Sequence, residues 1–279
     1  MRAIDVRHQG REKVICCWEV DGVLIDPGPG VSEPTLLDAL RGERPRAILL
    51  THIHFDHAGV TGSLVRRWPD LPVYVHERGA PHMADPSRLV ASAGRLYGGE
   101  EGLKRLWGEL IPVPERNLRV LTGGEHDVEG AFRVEYTPGH ASHHVCYFHE
   151  ASGTAFVGDV GGARIPPHAF TVAPTPPPDI DVASWRASID TIRAWNPERL
   201  GLTHFGEAGP EQLDACLDAL EVQVALEAEH DEAGFVAAME ERVRAGCGDD
   251  AEAMLQATPL DQLHMGLARW RKKFGPAAE

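Results

Sequence analysis

His52-Ile53-His54-Phe55-Asp56-His57 follows directly on Ala47-Ile48-Leu49-Leu50-Thr51, and this junction decides how the chain is read. A short apolar run of this kind reads as a buried strand. In a strand alternate residues share a face, so His52 and His54 are expected to point the same way. A turn at Phe55 would swing Asp56 and His57 back toward them. One histidine in such a place is ordinarily a satisfied core or surface residue. Three with an aspartate, within six residues, call for a metal or a proton relay, because imidazole and carboxylate together make a divalent-metal donor set. We read a metal site.

A two-metal site needs more imidazoles and a carboxylate able to bridge. The sequence supplies them further on. Thr137-Pro138-Gly139-His140 follows the strand-like Glu135-Tyr136 and presents a histidine at a tight turn. Thr154-Ala155-Phe156-Val157-Gly158-Asp159 ends an apolar run on an aspartate, and Leu200-Gly201-Leu202-Thr203-His204 ends another on a histidine. Each candidate sits where a strand gives way to a loop, the usual place for function on a rigid scaffold.

THIHFDHAG, TPGH, FVGD and LTHFG stand in the order and approximate spacing of the metallo-β-lactamase-fold hydrolases, and the chain resembles that family from about Cys16 to Gly206. The resemblance implies an α/β fold, a four-layer αββα sandwich, and a ligand set like that of glyoxalase II and the lactonases. It implies His52, His54 and His140 as ligands of metal 1. Asp56, His57 and His204 would hold metal 2, and Asp159 would bridge. Asp26, in Leu24-Ile25-Asp26-Pro27-Gly28, matches a family turn beneath the site and is expected to support ligands rather than to be one.

The implied cofactors are two divalent ions, Zn²⁺ first, with Mn²⁺ or Fe²⁺ as alternatives. The implied activity is hydrolysis of an ester, thioester or lactone by a metal-bridging hydroxide, with Asp56 as catalytic proton carrier. A phosphodiesterase is the alternative within hydrolysis; a mononuclear-iron oxidoreductase resembling the persulfide dioxygenases is the alternative outside it. Asp159 argues against β-lactam hydrolysis, because zinc β-lactamases usually have cysteine or no bridging carboxylate there. His54 argues against the flavo-diiron branch, which has glutamate. Gly162 stands where quorum-lactone hydrolases place a tyrosine.

Composition narrows the partners. The chain has 27 Lys and Arg against 42 Asp and Glu, a formal charge of −15 over 279 residues. That balance disfavours nonspecific nucleic-acid binding, which depends on phosphate neutralisation. A small-molecule substrate is expected, with no nucleic acid and no membrane partner, since no apolar stretch is long enough to span a bilayer and no signal-peptide core is evident. Cys16, Cys17, Cys146, Cys216 and Cys247 are odd in number and lack a CxxC pair. They are expected reduced, in a cytoplasmic protein.

The organisation expected is a catalytic domain over 1–206 and a helical extension over 207–279. Two or three short strands with turns at Gly10 and Asp21-Gly22 precede a helix over Glu33–Arg41. Gly59–Trp68 reads as helix, Leu71–His76 as strand, and 77–114 as a helical insertion containing Tyr97 and Trp107, both read as core. The Pro174–Pro178 run should stay extended until Asp179 or Asp181 caps a helix reaching Trp195.

The tail carries −10 of the net charge, and Leu213, Leu217, Leu220 and Val224 recur at helical spacing. It reads as a docked appendage, with a homodimer interface or a cleft wall as the sharper alternatives. Arg164 and His168, in the loop after Asp159, are the expected substrate contacts. His143 and His144 are expected to support, not to ligate. His8, His76, His82, His126, His149, His230 and His264 read as ordinary histidines.

Overall fold

Six short β-prone runs, separated by turn residues and amphipathic segments, form the sheet of the first half. They are β1 (Arg2–Asp5), β2 (Cys16–Val20), β3 (Val23–Ile25), β4 (Ala47–Leu49), β5 (Val73–His76) and β6 (Leu118–Leu121), hydrogen-bonded in sequence order. The computed structural model describes residues 1–94 and 96–275. These belong to two compact units, Met1–Glu135 and Tyr136–Glu279.

In the first unit β1, β2 and β3 pair antiparallel. Asp21 and Gly22 both take positive φ (51° and 81°), the two-residue hairpin turn whose twist matches its flanking strands. From β3 onward pairing is parallel, and parallel neighbours need crossovers. The crossovers are helical: α1 (Glu33–Ala39), then α2 (Phe55–Ala58) with α3 (Thr61–Arg67), then α4 (Ala80–Ala84), α5 (Ser87–Ala93) and α6 (Glu100–Trp107). The helical insertion and the helix after the metal motif therefore stand as expected. Val23, Leu24, Ile25, Ala47, Ile48 and Leu49 are all essentially inaccessible, the continuous apolar signature of strands covered on both faces.

One detail differs from expectation. Strand β4 stops at Leu49, so His52 and His54 are loop residues and strand alternation does not explain why they converge. Thr51 leaves the ladder because its amide and hydroxyl both bond the Asp26 side chain.

In the second sheet β7 (Phe132–Tyr136), β8 (Val145–His149) and β9 (Thr154–Phe156) come first. A small antiparallel pair follows, β10 (Ala163–Arg164) and β11 (Thr171–Val172). Then β12 (Arg199–Leu202) and β13 (Gly206–Ala208) complete a five-stranded sheet of order β13-β12-β9-β8-β7. Helix α7 (Val182–Ala194) begins where Asp181 accepts the amides of Ala183 and Ser184, as the sequence predicts.

The acidic tail folds as α8 (Gln212–Glu229), α9 (Glu232–Cys247), α10 (Ala251–Ala257) and α11 (Leu260–Phe274), within the same unit as the second sheet. The buried face of α8 is not the predicted leucine stripe. Leu213 and Leu220 are buried, but Gln212, Cys216, Gln223 and Glu227 share their face while Leu217 and Val224 are only half-buried. These polar groups tolerate burial because each has a partner: the glutamines and Cys216 bond the chain after Asp159, and Glu227 takes Arg271 of α11. All five cysteines are buried and free. Among the described residues no helix is long and apolar enough to cross a membrane.

Candidate metal centre

In the first unit the site is built on one buried carboxylate. Asp26 caps the end of β3 in a left-handed conformation (φ 49°), and its amide donates to Leu49 O across to β4. Its Oδ1 accepts the Thr51 amide at 2.8 Å. Its Oδ2 accepts the Thr51 hydroxyl at 2.7 Å and faces His57 Nδ1 at 2.8 Å. Asp26 is 0% exposed, and a buried carboxylate is stable only when so satisfied.

This arrangement fixes protons. A carboxylate oxygen only accepts, so His57 Nδ1 carries hydrogen and the ring's lone pair lies on Nε2. The Thr51 hydroxyl has one hydrogen and gives it to Asp26. Toward His52 Nδ1, 3.1 Å away, it must accept, so His52 also has its lone pair on Nε2. That Nε2 faces His54 Nδ1 at 3.0 Å, and the His52 and His57 rings lie 4.0 Å apart. The donors converge because α2 begins at Phe55 and turns the chain back at the predicted place. His52 and His57 are fully buried, whereas His54 and Asp56 are half-buried.

In the second unit, His140, Asp159 and His204 leave three different strand ends yet meet. Asp159 Oδ2 lies 3.3 Å from His140 Nε2, and Oδ1 lies 3.6 Å from His204 Nε2. One oxygen faces each imidazole, the disposition a bridging carboxylate requires. His140 is oriented from behind, since its Nδ1 donates to Pro174 O at 2.8 Å, which again leaves the lone pair on Nε2. Gly139 (φ 140°) allows the turn before His140, as a β-carbon there would overlap the Trp185 backbone. Trp185 in turn stands edge-on to the His140 ring and donates Nε1–H to Val160 O at 2.9 Å.

His144 is buried against Thr137 Oγ1 (2.9 Å), a supporting position as expected. Arg164 Nε donates to His168 O at 3.0 Å, and His168 Nε2 lies 3.2 Å from Asp250 Oδ2 at the start of α10. Of the two expected substrate contacts, Arg164 thus ties its own loop together and His168 ties that loop to the tail. His8 is a core histidine, buried and stacked on Trp107 at 4.7 Å, and Phe55 approaches Trp107 at 6.4 Å. Thr51 and the Pro174 carbonyl orient His52 and His140 without any sequence signal of their own.

A metal fits these donors. Three imidazoles have Nδ1 committed to an oxygen behind them and Nε2 presented forward, the oriented state in which neutral histidine ligates. The chain thus carries histidine and aspartate groups of the kind that hold divalent ions.

A family model described as the metallo-beta-lactamase superfamily matches residues 19–204. The metallo-beta-lactamase fold-containing protein ST1585 of Sulfurisphaera tokodaii is 30% identical over 234 residues, 75% of this chain and 80% of that one. Its solved structure covers 93% of both chains with a TM-score of 0.67 at 23% identity, a likeness of fold.

The probable metallo-hydrolase YqgX of Bacillus subtilis is 33% identical over 141 residues, half of this chain and 60% of that protein. A hydroxyacylglutathione hydrolase of Xanthomonas euvesicatoria is 36% identical over 140 residues, 42% of its length. The match to these two thus spans only about half the length of the relatives concerned. The ST1585 match reaches further, and the family model spans residues 19–204, from before the first motif to His204 in the fourth. On that extent of likeness the chain belongs to the metallo-beta-lactamase superfamily.

Proposed function

We propose that this protein is a binuclear metal-dependent hydrolase of esters, thioesters or lactones. In this reading His52, His54 and His140 hold one divalent ion, Asp56, His57 and His204 hold a second, and Asp159 is shared. Zinc is the proposed metal. The observation that carries the reading is Asp159, whose two oxygens each face a different imidazole. The names of the relatives, a metallo-hydrolase and a thioester-cleaving hydroxyacylglutathione hydrolase among them, favour acyl substrates.

Two divalent ions, when bound, acidify a coordinated water and polarise the scissile carbonyl. The protein's own share is orientation and proton handling. Asp26 holds His57 directly and His52 through Thr51, so two rings are fixed before any ion arrives. Preformed geometry of this sort lowers the reorganisation needed during reaction. Asp56 has Oδ2 3.7 Å from His57 Nε2 and keeps a 19% exposed side chain. A carboxylate both near the ligands and open to solvent is placed to take a proton and return it to the leaving group. No serine or cysteine nucleophile is required, and the five buried thiols are unsuited to that role.

The test is elemental analysis of protein purified without added metal, paired with hydrolysis of an activated aryl thioester and aryl ester. About two zinc or manganese ions per chain, with activity lost on chelation and restored by Zn²⁺ or Mn²⁺, is the expected result. One iron per chain would favour the oxidoreductase alternative. Hydrolysis that survives exhaustive metal removal would refute the reading.

A further inference from the structure

Three side chains of helix α8 make polar contacts with the chain that joins Asp159 to Pro174. Gln212 Nε2 donates to Gly161 O at 3.0 Å, and its Oε1 accepts the Thr171 hydroxyl at 3.3 Å. Cys216 Sγ–H points to Val160 O at 3.4 Å. Gln223, 1% exposed, forms a paired contact with Ala173: Oε1 accepts the amide and Nε2 donates to the carbonyl, both at 2.8 Å. A side-chain amide used in this way replaces a neighbouring strand. It finishes the ladder of β11 one residue past Val172, where the small sheet itself ends.

The next residue is Pro174, whose carbonyl accepts His140 Nδ1–H. Proline has no N–H with which to tie itself to a neighbour, so its position is set by the residues on either side. On one side stands Gln223. On the other, Thr175 donates to Leu263 O of α11 at 3.1 Å, and Gly266 lies so close beneath Thr175 that any β-carbon would collide with its carbonyl.

We propose that Gln223 is a positioning residue for His140. By pinning Ala173 it sets the Pro174 carbonyl against Nδ1, and so fixes Nε2 as the nitrogen turned toward Asp159. The acidic tail is then a working part of the centre, because it determines which His140 nitrogen is available to a metal. This role rests on the metal assignment above, but the orientation of the ring is measurable without metal.

The test uses the full chain. Gln223→Met removes both bonds to Ala173 and the longer one to Thr175 Oγ1 (3.4 Å) at similar volume, and Gln223→Glu keeps the acceptor for the Ala173 amide while losing the donor to its carbonyl. Glu227→Gln, one turn along the same buried face, weakens the contact with Arg271 without touching Ala173 and serves as the control. Two-bond ¹⁵N–¹H spectra of metal-free protein report the His140 tautomer, and chelator competition with Zn²⁺ reports affinity.

The expected result is a single Nδ1–H tautomer in the unaltered protein and in Glu227→Gln. Gln223→Met should give a mixture, with one of the two ions bound tenfold to a hundredfold more weakly. Gln223→Glu should fall between, and carries the test if the methionine variant does not fold. A wild-type tautomer and affinity in both Gln223 variants, or equal losses in Glu227→Gln, overturns the inference. An unaltered protein that binds no Zn²⁺ yet shows the tautomer locked by Gln223 refutes the metal reading and upholds the positioning role.

Discussion

Replacing Asp26 by asparagine exchanges one oxygen for an NH₂ group and changes nothing in size. The amide oxygen can keep the Thr51 amide, at the present Oδ1. The new NH₂ then stands where Oδ2 accepts both the Thr51 hydroxyl and His57 Nδ1–H, and donors face donors. Two responses are open. If the rings keep their protons, two bonds to a buried carboxylate are lost, each worth about 1.5–3 kcal/mol, so stability falls by roughly 3–6 kcal/mol. If the protons move instead, His57 Nδ1 accepts from the amide, Thr51 Oγ1 accepts from it too, and the Thr51 hydroxyl turns to donate to His52 Nδ1. Both rings then carry hydrogen on Nε2, the nitrogens needed for an ion.

Undoing that exchange to bind metal costs about the same 1.5–3 kcal/mol per ring, or roughly tenfold to a hundredfold in affinity at each centre. Urea denaturation and Zn²⁺ competition on one preparation read the two routes together. The expected outcome is a loss in one or both that accounts for at least one ring's share. Asp26→Asn with unaltered unfolding midpoint and unaltered affinity for both ions would refute the proton assignment.

Asp159→Ala should lower bound metal from two ions toward one, because the shared carboxylate both donates to and screens the two cations; His54→Ala should deplete mainly the first ion and His204→Ala mainly the second. Unchanged stoichiometry in all three purified variants would remove the ligand assignment. Gly139→Ala places a β-carbon into Trp185 at φ 140° and should cost about 1–3 kcal/mol, read as a lowered thermal midpoint. Burial holds the Cys17 and Cys216 thiols well above the usual cysteine value and raises Cys247 to about 11 from 9.0. The unfolded chain therefore loses these protons first. Stability should be level below about pH 9 and decline toward pH 11, by up to about 1.4 kcal/mol per pH unit per thiol. Urea midpoints that do not fall between pH 8 and pH 10.5 would contradict this.

The candidate motifs were readable because their chemistry is carried by residue type at short range: three imidazoles and a carboxylate within His52–His57, and single histidine or aspartate side chains at strand ends. Helix α7 was readable from Asp181, and the Asp21-Gly22 hairpin from its turn residues. What escaped the sequence depends on through-space backbone contact. The Pro174 carbonyl is chemically anonymous, and nothing local joins it to His140, 34 residues away. The face of α8 was misread for a related reason. Leucine spacing marks a face that seeks apolar cover, whereas this helix buries glutamines against buried peptide groups, a demand set by the partner loop and invisible in the helix itself. Arg164 and His168 were picked for their charge, but their neighbours, a carbonyl and Asp250, lay beyond the reach of pattern.

The contacts that α8 makes with residues 160–173 are almost all to main-chain atoms, and this has a consequence for how such a protein changes over generations. A grip on peptide groups is indifferent to the side chains they bear. Loop side chains that make no contact of their own can therefore be exchanged one at a time while Ala173 stays in register; Arg164, His168 and Phe170, which touch a loop carbonyl, Asp250 and Gly246, are held more tightly. Relatives that keep the two glutamines should show a loop of fixed path whose unengaged positions vary, so that change can accumulate in that stretch without first displacing Ala173.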